Sequence, residues 1–302
     1  MGYEFAKLNG AGNDFVMIED MADAISFTPE QVAWICDRHF GIGADGVIVV
    51  KPSQNPDCAA YMDYYNCDGT KAQMCGNGVR CFAKFIVDRG IAPFELEQDE
   101  GASAANGGLL VADTLAGPRP LKFSYGPDGR VAAVRVDMGE PILTPEDVPT
   151  TLSANHESGA AVEVPVTVGE HTFSFTCISM GNPHAVAFVD DAVRFPVDSI
   201  GPLFEAADVF PEKANIEFAT VKDGAIEMRV WERGCGETLA CGTGSCATAV
   251  AAALTGRAGR ESDVKLLGGT LHIEWADDNH VYMTGPASES FTGSFSLPEH
   301  LV

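Results

Sequence analysis

Two short stretches of this sequence carry nearly the same pattern. "MCGNGVRCFAKF" contains Cys75 and "ACGTGSCATAV" contains Cys241, 166 positions further on, and in each a Cys-Gly-x-Gly motif opens an apolar run. A single glycine-flanked cysteine would constrain the fold very little. A repeat with a period this long indicates a duplicated domain rather than a solenoid, whose repeats are far shorter.

Polar residues upstream of the two cysteines repeat as well. "AGNDF" places Asn13 62 residues before the first cysteine, and "MGNPH" places Asn182 59 residues before the second. Nine residues before each cysteine a polar side chain ends a predicted strand, Asn66 in the first half and Glu232 in the second. The matching order indicates two copies of one unit, related by a pseudo-two-fold axis.

Strand patterns dominate the rest of the chain. Three segments contain the turn signals of antiparallel hairpins, around Asp128-Gly129, Asp223-Gly224 and Gly268-Gly269. One helix is predicted after the N-cap Thr28, with Gln31 completing a capping box, and the helices after the two cysteines are expected to end at Gly90 and Gly256. The helix after the second cysteine is apolar on nearly every face, so we expect a sheet to wrap around it.

These patterns predict an α+β fold of two pseudo-symmetric domains, each a strongly curved, mainly antiparallel sheet wrapped around a central helix. We expect residues 1–137, joined by the C-terminal segment 285–302, to form the domain that carries Cys75. Residues 138–284 would form the domain that carries Cys241. The low-complexity piece at 99–108 is predicted to be a loop.

Composition excludes several kinds of function. The formal net charge of −24 argues against a nucleic-acid partner, because a phosphate-binding face needs clustered Lys and Arg. No apolar run approaches the ~20 residues of a membrane helix, and the N-terminus has no signal-like core, so we expect a cytoplasmic protein with no membrane partner.

Nine cysteines, with no Cys-x-x-Cys pair, favour neither a disulfide framework nor a metal site. "GIGADG" at 41–46 precedes its strand instead of following one, so it is predicted to be a turn rather than a cofactor site.

A cysteine at the start of a helix has a definite chemistry. Helix N-termini present free N–H groups and a positive dipole end, which favour a thiolate and bind anions such as a carboxylate. Two such sites facing each other would place a sulfur on each side of a bound α-carbon, so that one thiolate removes a proton and the opposite thiol delivers one. The repeat thus predicts a cofactor-independent amino-acid racemase or epimerase. The alternative is that both cysteines only pack beneath glycine turns.

The sequence resembles the diaminopimelate epimerase family nearly from end to end. The ordered motifs that carry the resemblance are "GAGNDF", "RHFGIGADG", "NCDG", "MCGNGVRCFAKF", "MGNPHAV", "ANIEFA", "ERGCGETLACGTGSCA" and "YMTGPA". The resemblance implies an enzyme that interconverts LL-2,6-diaminopimelate and meso-diaminopimelate in lysine and peptidoglycan precursor biosynthesis. It further implies a two-base thiol mechanism, a small-molecule substrate, a homodimer, and neither a cofactor nor a metal.

The resemblance also implies roles for individual residues. Cys75 and Cys241 would be the acid–base pair, with His184 and Glu232 tuning their thiols. The substrate-binding residues that it implies are backbone groups of Gly76, Asn77, Gly242 and Thr243 at the reacting carboxylate, Asn13, Asn66, Asn182, Asn215 and Arg233 at the distal end, and Glu232.

Two other functions remain open on the sequence. A related racemase or epimerase, such as a proline-racemase-like enzyme, would differ in its substrate contacts, and this chain has Asn77 where proline racemases carry a histidine. A thiol redox protein would ordinarily hold its cysteines as Cys-x-x-Cys. The chain also departs from the family pattern at three positions, with Gly46 where many members have glutamine and with Cys67 and Cys235 in place of small residues.

Overall fold

The computed structural model describes residues 2–97 and 106–301. The chain divides into two compact units, the first formed by Met1–Val136 with Gly285–Val302 and the second by Asp137–Thr284.

In its described residues the first unit contains two helices, α1 (Pro29–Cys36) and α2 (Gly76–Arg89), and a short 3-10 helix at Glu299–Leu301. Its strands are β1 (Gly2–Gly10), β2 (Asn13–Glu19), β3 (Gly46–Lys51), β4 (Ala60–Asn66), β5 (Glu95–Glu97), β6 (Gly107–Asp113), β7 (Arg119–Tyr125), β8 (Val131–Asp137) and β18 (Ser288–Ser296).

The second unit also contains two helices, α3 (Val197–Glu205) and α4 (Gly242–Leu254). Its strands are β9 (Val164–Val168), β10 (His171–Ser179), β11 (Pro183–Phe188), β12 (Asn215–Lys222), β13 (Ala225–Glu232), β14 (Gly236–Glu237), β15 (Glu261–Leu266), β16 (Gly269–Trp275) and β17 (Val281–Pro286).

The two units repeat one strand order. Pairing runs β18–β1–β2–β3–β4–β6–β7–β8 in the first unit, with β5 also on β6. It runs β9–β10–β11–β12–β13–β15–β16–β17 in the second, with β14 beside β13. In each unit the third and fourth strands of this order are parallel, as are the fifth and sixth, and α1, α2, α3 and α4 supply the crossovers that parallel strands require. The predicted duplicated, mainly antiparallel α+β fold is confirmed.

Each sheet is covered by one helix on each of its faces. In the first unit Val16 and Ile18 of β2 pack with Val32 and Ile35 of α1, while Phe15 points toward α2. In the second unit α4 contacts β10 to β13, β15 and β16, and most of its residues are buried. The predicted central helix is therefore confirmed. Among the described residues, no helix combines the length and the apolar character that crossing a membrane demands.

Local end signals are confirmed at some helices and wrong at others. Thr28 and Gln31 form the predicted capping box, and Gly90 caps α2 in the left-handed region at φ 62°. Helix α4 ends at Leu254 rather than at Gly256, because Thr255 forms its cap and the left-handed glycine lies one residue later. Of the predicted loop at 99–108, residues 99–105 lie outside the described residues, and Gly107 and Gly108 begin strand β6.

Several elements were not recognised in the sequence. Strands β1 and β2 form a hairpin whose two turn residues, Ala11 (φ 57°) and Gly12 (φ 90°), have the positive φ that tight hairpins need. Helix α3 contains Gly201 and Pro202, which normally interrupt a helix. Glycine is required there, because a Cβ on Gly201 would lie 2.5 Å from the Cβ of Trp231.

Candidate active site

Cys75 is the N-cap of α2. Its backbone is extended (φ −136°, ψ 123°), and its sulfur accepts a hydrogen bond from the N–H of Gly78 at 3.5 Å. Glycine at position 78 permits close packing, because a Cβ there would lie 3.2 Å from both Ile48 Cδ1 and Met62 Cε. The first Cys-Gly-x-Gly motif therefore places a half-buried thiol at the start of a helix.

Cys241 caps α4 in the same way. Its backbone is extended (φ −119°, ψ 113°), and its sulfur accepts the N–H of Gly244 at 3.3 Å and contacts Thr243 Oγ1 at 3.5 Å. This site is tighter than the first, since a Cβ on Gly244 would lie 2.7 Å from Oε1 of Glu217 and 3.2 Å from the sulfur. The Cys241 side is also more enclosed, with the residue only 4% exposed.

The ionisation of Cys241 differs from the sequence expectation. Burial raises the pKa of its thiol well above the usual range, and the carboxylates of Glu232 and Glu217 raise it further. The hydrogen bonds from Thr243 and Gly244 lower the pKa but are the smaller effects. The expectation that a helix N-terminus lowers the pKa of this thiol is therefore wrong for Cys241.

Backbone N–H groups lie beside both thiols. The first turn of a helix has no intrahelical acceptors for its N–H groups. Those of Gly242 and Thr243 donate to no acceptor within residues 2–97 and 106–301. Gly76 and Asn77 occupy the same two positions in α2. Such N–H groups suit a carboxylate ligand.

Asn13 lies against Cys75, as part of a hydrogen-bonded chain. Its Oδ1 accepts from the Cys75 thiol at 3.6 Å and from Asn77 Nδ2 at 3.3 Å, and its Nδ2 donates to Asp45 Oδ2 at 2.8 Å. Asn77 Oδ1 in turn accepts from the fully buried Arg80 at 3.0 Å. Arg80 is thus a site neighbour that the motifs did not single out, and Asp45 of the "GIGADG" turn is a second neighbour.

Asn66 lies at the end of β4, opposite Gly46 of β3. Its Nδ2 donates to Thr70 Oγ1 at 3.1 Å. A side chain at position 46 has no room, because a Cβ there would lie 2.6 Å from the carbonyl oxygen of Tyr65 and 2.8 Å from the ring of Tyr64. The packing around Gly46 therefore excludes a polar side chain at this position.

Glu217 was missed in the sequence analysis. His184 lies with Nδ1 2.6 Å from Glu217 Oε1 and with Nε2 3.0 Å from Asn182 Oδ1, and both His184 and Glu217 are 0% exposed. In "ANIEFA" an acidic residue between apolar ones resembles the solvent-facing position of a strand. The signal that identifies it is structural, because β12 is covered on both faces, with Ile216 and Phe218 packed into the cluster that includes α3.

Asn215, Glu232 and Arg233 are the remaining candidate residues of the second unit. Asn215 Nδ2 donates to the carbonyl of Pro183 at 2.8 Å, and its Oδ1 accepts the backbone N–H of Arg233 at 2.9 Å. The exposed Arg233 guanidinium donates to the carbonyl of Glu212 at 3.0 Å. Glu232 Oε1 accepts a hydrogen bond from the Thr238 hydroxyl. Asn215 thus holds two backbone segments of this site together.

The remaining cysteines have other surroundings. All nine cysteines are free, and burial raises the pKa of the packed Cys36, Cys81 and Cys177 to about 12. Cys67 and Cys235 are exposed. Within the described ranges, no three His, Cys, Asp or Glu side chains group in a way that could hold a metal ion.

Two α+β units of one strand order, each with a cysteine capping its central helix, define a class of duplicated folds. Solved structures share its fold. A Bacillus anthracis phenazine biosynthesis protein of the PhzF family superposes with a TM-score of 0.68 at 15% identity, covering 98% of this chain and 100% of that chain. A probable proline racemase from Agrobacterium radiobacter K84 superposes with a TM-score of 0.64 at 15% identity, covering 98% and 93%. At these identities the likeness shows the fold alone.

Sequence comparison identifies the family within this class. The family model described as "Diaminopimelate epimerase" matches residues 5–144 and 176–289. The diaminopimelate epimerase of Picosynechococcus sp. is 47% identical over 304 residues, covering 98% of this chain and 100% of that protein. That of Methanococcus maripaludis is 42% identical over 296 residues, covering 97% and 100%. The chain belongs to the diaminopimelate epimerase family, as the sequence motifs predict.

Proposed function

We propose that this protein is a cofactor-independent isomerase that interconverts LL-2,6-diaminopimelate and meso-diaminopimelate. The observation that carries the proposal is the family match along nearly the whole chain. The two cysteine caps support the mechanism, because each places a thiol beside helix N–H groups. The reaction belongs to lysine and peptidoglycan precursor biosynthesis.

Inversion of an α-carbon requires a base on one face and an acid on the other, and we assign these roles to Cys75 and Cys241. A thiolate takes the α-proton and leaves the electron pair of the C–H bond on the substrate. The other thiol then donates its proton to the opposite face of the carbon. After one turnover thiol and thiolate have exchanged places, so the reverse reaction uses the same two groups in exchanged roles.

The carboxylate next to the reacting carbon must take up charge as the proton leaves. In this proposal it is bound by the first-turn backbone groups of Gly76, Asn77, Gly242 and Thr243. Fixed N–H dipoles that face developing negative charge stabilise the transition state without having to reorganise. This stabilisation is what allows a thiolate, a weak base, to remove an α-proton.

The distal amino-acid end is assigned to Arg233 and neighbouring polar groups. A guanidinium carries five N–H donors, of which Arg233 commits one to Glu212, so a forked contact with a carboxylate is available. Asn215 supports this contact by holding the backbone of Arg233. The other residues assigned to substrate binding are Asn13, Asn66, Asn182 and Glu232. A homodimer and a cytoplasmic location are proposed with this function on the strength of the resemblance.

A substrate comparison tests the proposal. The purified protein is incubated separately with LL-diaminopimelate, L-proline and L-lysine, and the configuration of the products is followed by chiral chromatography. We expect meso-diaminopimelate from the first and no inversion of the other two. Faster inversion of proline than of diaminopimelate would instead support a proline-racemase-like enzyme.

A further inference from the structure

The duplicated strands allow the two sites to be compared position by position. In the first unit Phe15 of β2 pairs with Gly46 of the parallel strand β3, and in the second His184 of β11 pairs with Asn215 of β12. Two residues further along β3 and β12 lie Ile48 and Glu217. His184 therefore corresponds to Phe15, and Glu217 corresponds to Ile48.

The glycines below the two cysteines give the same correspondence independently. A Cβ on Gly78 would lie 3.2 Å from Ile48 Cδ1 and 3.4 Å from Phe15 Cζ. A Cβ on Gly244, three residues after Cys241, would lie 2.7 Å from Glu217 Oε1. The space beneath the start of α2 is apolar, whereas the same space beneath α4 holds an acid bonded to a histidine.

The fold does not require a polar pair at the positions of His184 and Glu217. Phe15 and Ile48 fill their positions with 0% exposure, and so do His184 and Glu217. Burying an acid with a histidine generally costs more than burying an apolar pair of similar volume. Oε2 of Glu217 also receives no hydrogen bond from the described residues, which adds a desolvation cost. A second unit that retains this arrangement must gain something other than stability from it.

The hydrogen bonds show what is gained. His184 lies between two oxygen atoms, and only an N–H can bond to Asn182 Oδ1, so Nε2 carries a hydrogen. A second proton then lies between Nδ1 and Glu217, and the raised pKa of the buried Glu217 favours its retention there. Without an acid at position 217, a neutral histidine could equally carry its hydrogen on Nδ1 and leave Nε2 bare. Glu217 thus fixes the donor at Nε2.

The N–H donor at His184 Nε2 in turn sets the orientation of the Asn182 side-chain amide. Its Oδ1 is engaged by His184, so its Nδ2 points the other way, and Nδ2 donates to no acceptor among the described residues. Asn182 is half-buried and remains accessible. In the first unit, where Phe15 replaces the histidine, Asn13 has both ends of its amide bonded to neighbouring side chains. Of Asn13 and Asn182, only Asn182 presents two N–H groups that have no acceptor among the described residues.

We propose that Glu217 is a positioning residue: through His184 it turns the Asn182 amide so that its N–H groups face a carboxylate of the substrate. This inference rests on the proposed function for the identity of the substrate. It makes Glu217 a determinant of substrate binding rather than of the proton transfer itself.

Replacement of Glu217 by methionine tests the proposal. Methionine has a similar length and no hydrogen-bonding group, so E217M frees the His184–Asn182 contact without opening a large cavity. We expect KM for LL-diaminopimelate to rise about 10- to 100-fold, the range for a lost hydrogen bond to a charged group. The value of kcat should change less than threefold, because a contact made equally in ground and transition states affects KM alone. The matched variant I48M, at the corresponding position of the first unit, should leave both constants near wild type.

A double-mutant cycle shows whether Glu217 acts through Asn182. N182A should raise KM as E217M does, and the double variant E217M/N182A should be no worse than N182A alone, because both remove the same contact. If the KM of the double variant rose by the product of the two single-variant increases, the proposal would be overturned. A lower kcat of E217M with unchanged KM would also overturn it, because Glu217 would then act on the thiol. Unchanged KM in N182A would also overturn it. A wild-type protein that does not interconvert the two isomers would instead refute the proposed function.

Two further measurements need no substrate. The first asks whether Glu217 has a role in stability, and the second determines which nitrogen of His184 is protonated. The melting temperature of E217M should equal or exceed that of the wild type, and a fall of more than about 5 °C would show that Glu217 serves stability, contrary to the proposal. Nitrogen NMR of the His184 imidazole should show Nε2 protonated in the wild type and a mixture of tautomers in E217M. An unprotonated Nε2 in the wild type would overturn the proposal directly.

Discussion

Cys75 and Cys241 begin the same Cys-Gly-x-Gly motif, but their sulfur atoms lie among different side chains. The Cys75 thiol is half-buried and donates to the amide oxygen of Asn13. Cys241 is buried near the carboxylates of Glu232 and Glu217. A capping position alone therefore does not determine how easily a cysteine ionises, because burial and nearby charge outweigh the helix N-terminus at Cys241.

Replacing Glu232 by glutamine should make Cys241 ionise at lower pH. The Glu232 carboxylate opposes formation of a second negative charge and so raises the pKa of the thiol, and E232Q removes that opposition. The measurement is the rate of iodoacetamide labelling against pH, followed for each peptide by mass spectrometry. The midpoint for Cys241 should fall while that for the exposed Cys67 in the same samples stays where it is. A Cys241 midpoint that does not move would show that Glu232 is not an electrostatic neighbour of the thiol.

Arg233 offers a second prediction at the scale of the single residue. R233K keeps the positive charge but loses the planar pair of donors that can fork onto a carboxylate. We expect KM for diaminopimelate to rise at least tenfold with a smaller change in kcat. Steady-state kinetics measure both constants, and R130K, an exposed arginine in the β7–β8 turn, is the control. An unchanged KM would remove Arg233 from the distal carboxylate contact.

At the scale of the element, the glycines three residues after each cysteine should tolerate substitution differently. In G244A the added carbon would lie 2.7 Å from Glu217 Oε1, an atom held by His184, and 3.2 Å from the Cys241 sulfur. In G78A it meets the ends of Ile48 and Met62, which can shift by a few tenths of an ångström. We therefore expect G244A to lower activity at least tenfold more than G78A at similar helix content, measured by kinetics and circular dichroism. Equal losses in both would contradict this account of the two helix starts.

Elements with strong local signals could be predicted from the sequence, and those that depend on tertiary context could not. The hairpins of β7–β8 and β12–β13, the capping box at Thr28 and the two cysteine helices all rest on turn residues, caps and periodicity within short windows. Helix α3 escaped prediction because Gly201 and Pro202 read as breakers, although Gly201 is required by the packing of Trp231. Glu217 escaped because strand alternation does not reveal that both faces of β12 are covered.

At the scale of the whole molecule, the chain begins and ends in the same unit. Strand β18 pairs with β1 along nearly its whole length, and Phe295 stacks on Tyr3 and packs against Phe5. We propose that residues 1–137 with 285–302, and residues 138–284, are separate domains. The C-terminal segment would then be an integral part of the first domain's sheet rather than an appendage.

Deletion of residues 288–302 should therefore destabilise the protein. Without β18, the strand β1 becomes an open edge and the aromatic contacts of Tyr3 and Phe5 with Phe295 are lost. We expect the melting temperature to fall by roughly 5–10 °C, corresponding to a loss of a few kcal/mol. Deletion of residues 297–302 alone keeps β18 and is the control. Equal melting temperatures for the two truncated proteins would show that β18 contributes little.

In the proposed mechanism one thiol acts on each face of the α-carbon, and the rate of inversion in heavy water measures whether both thiols are needed. LL-diaminopimelate is incubated with wild type, C75A, C241A, the double variant and the control C58A, and deuterium at the inverted carbon of the product is followed by NMR. We expect the wild type and C58A to form meso-diaminopimelate with one deuterium, while each single variant loses about 10²–10⁴-fold in rate. The double variant should be little worse than either single variant, since inversion requires both faces to be served. Near-normal inversion by C75A or by C241A would contradict the two-thiol account.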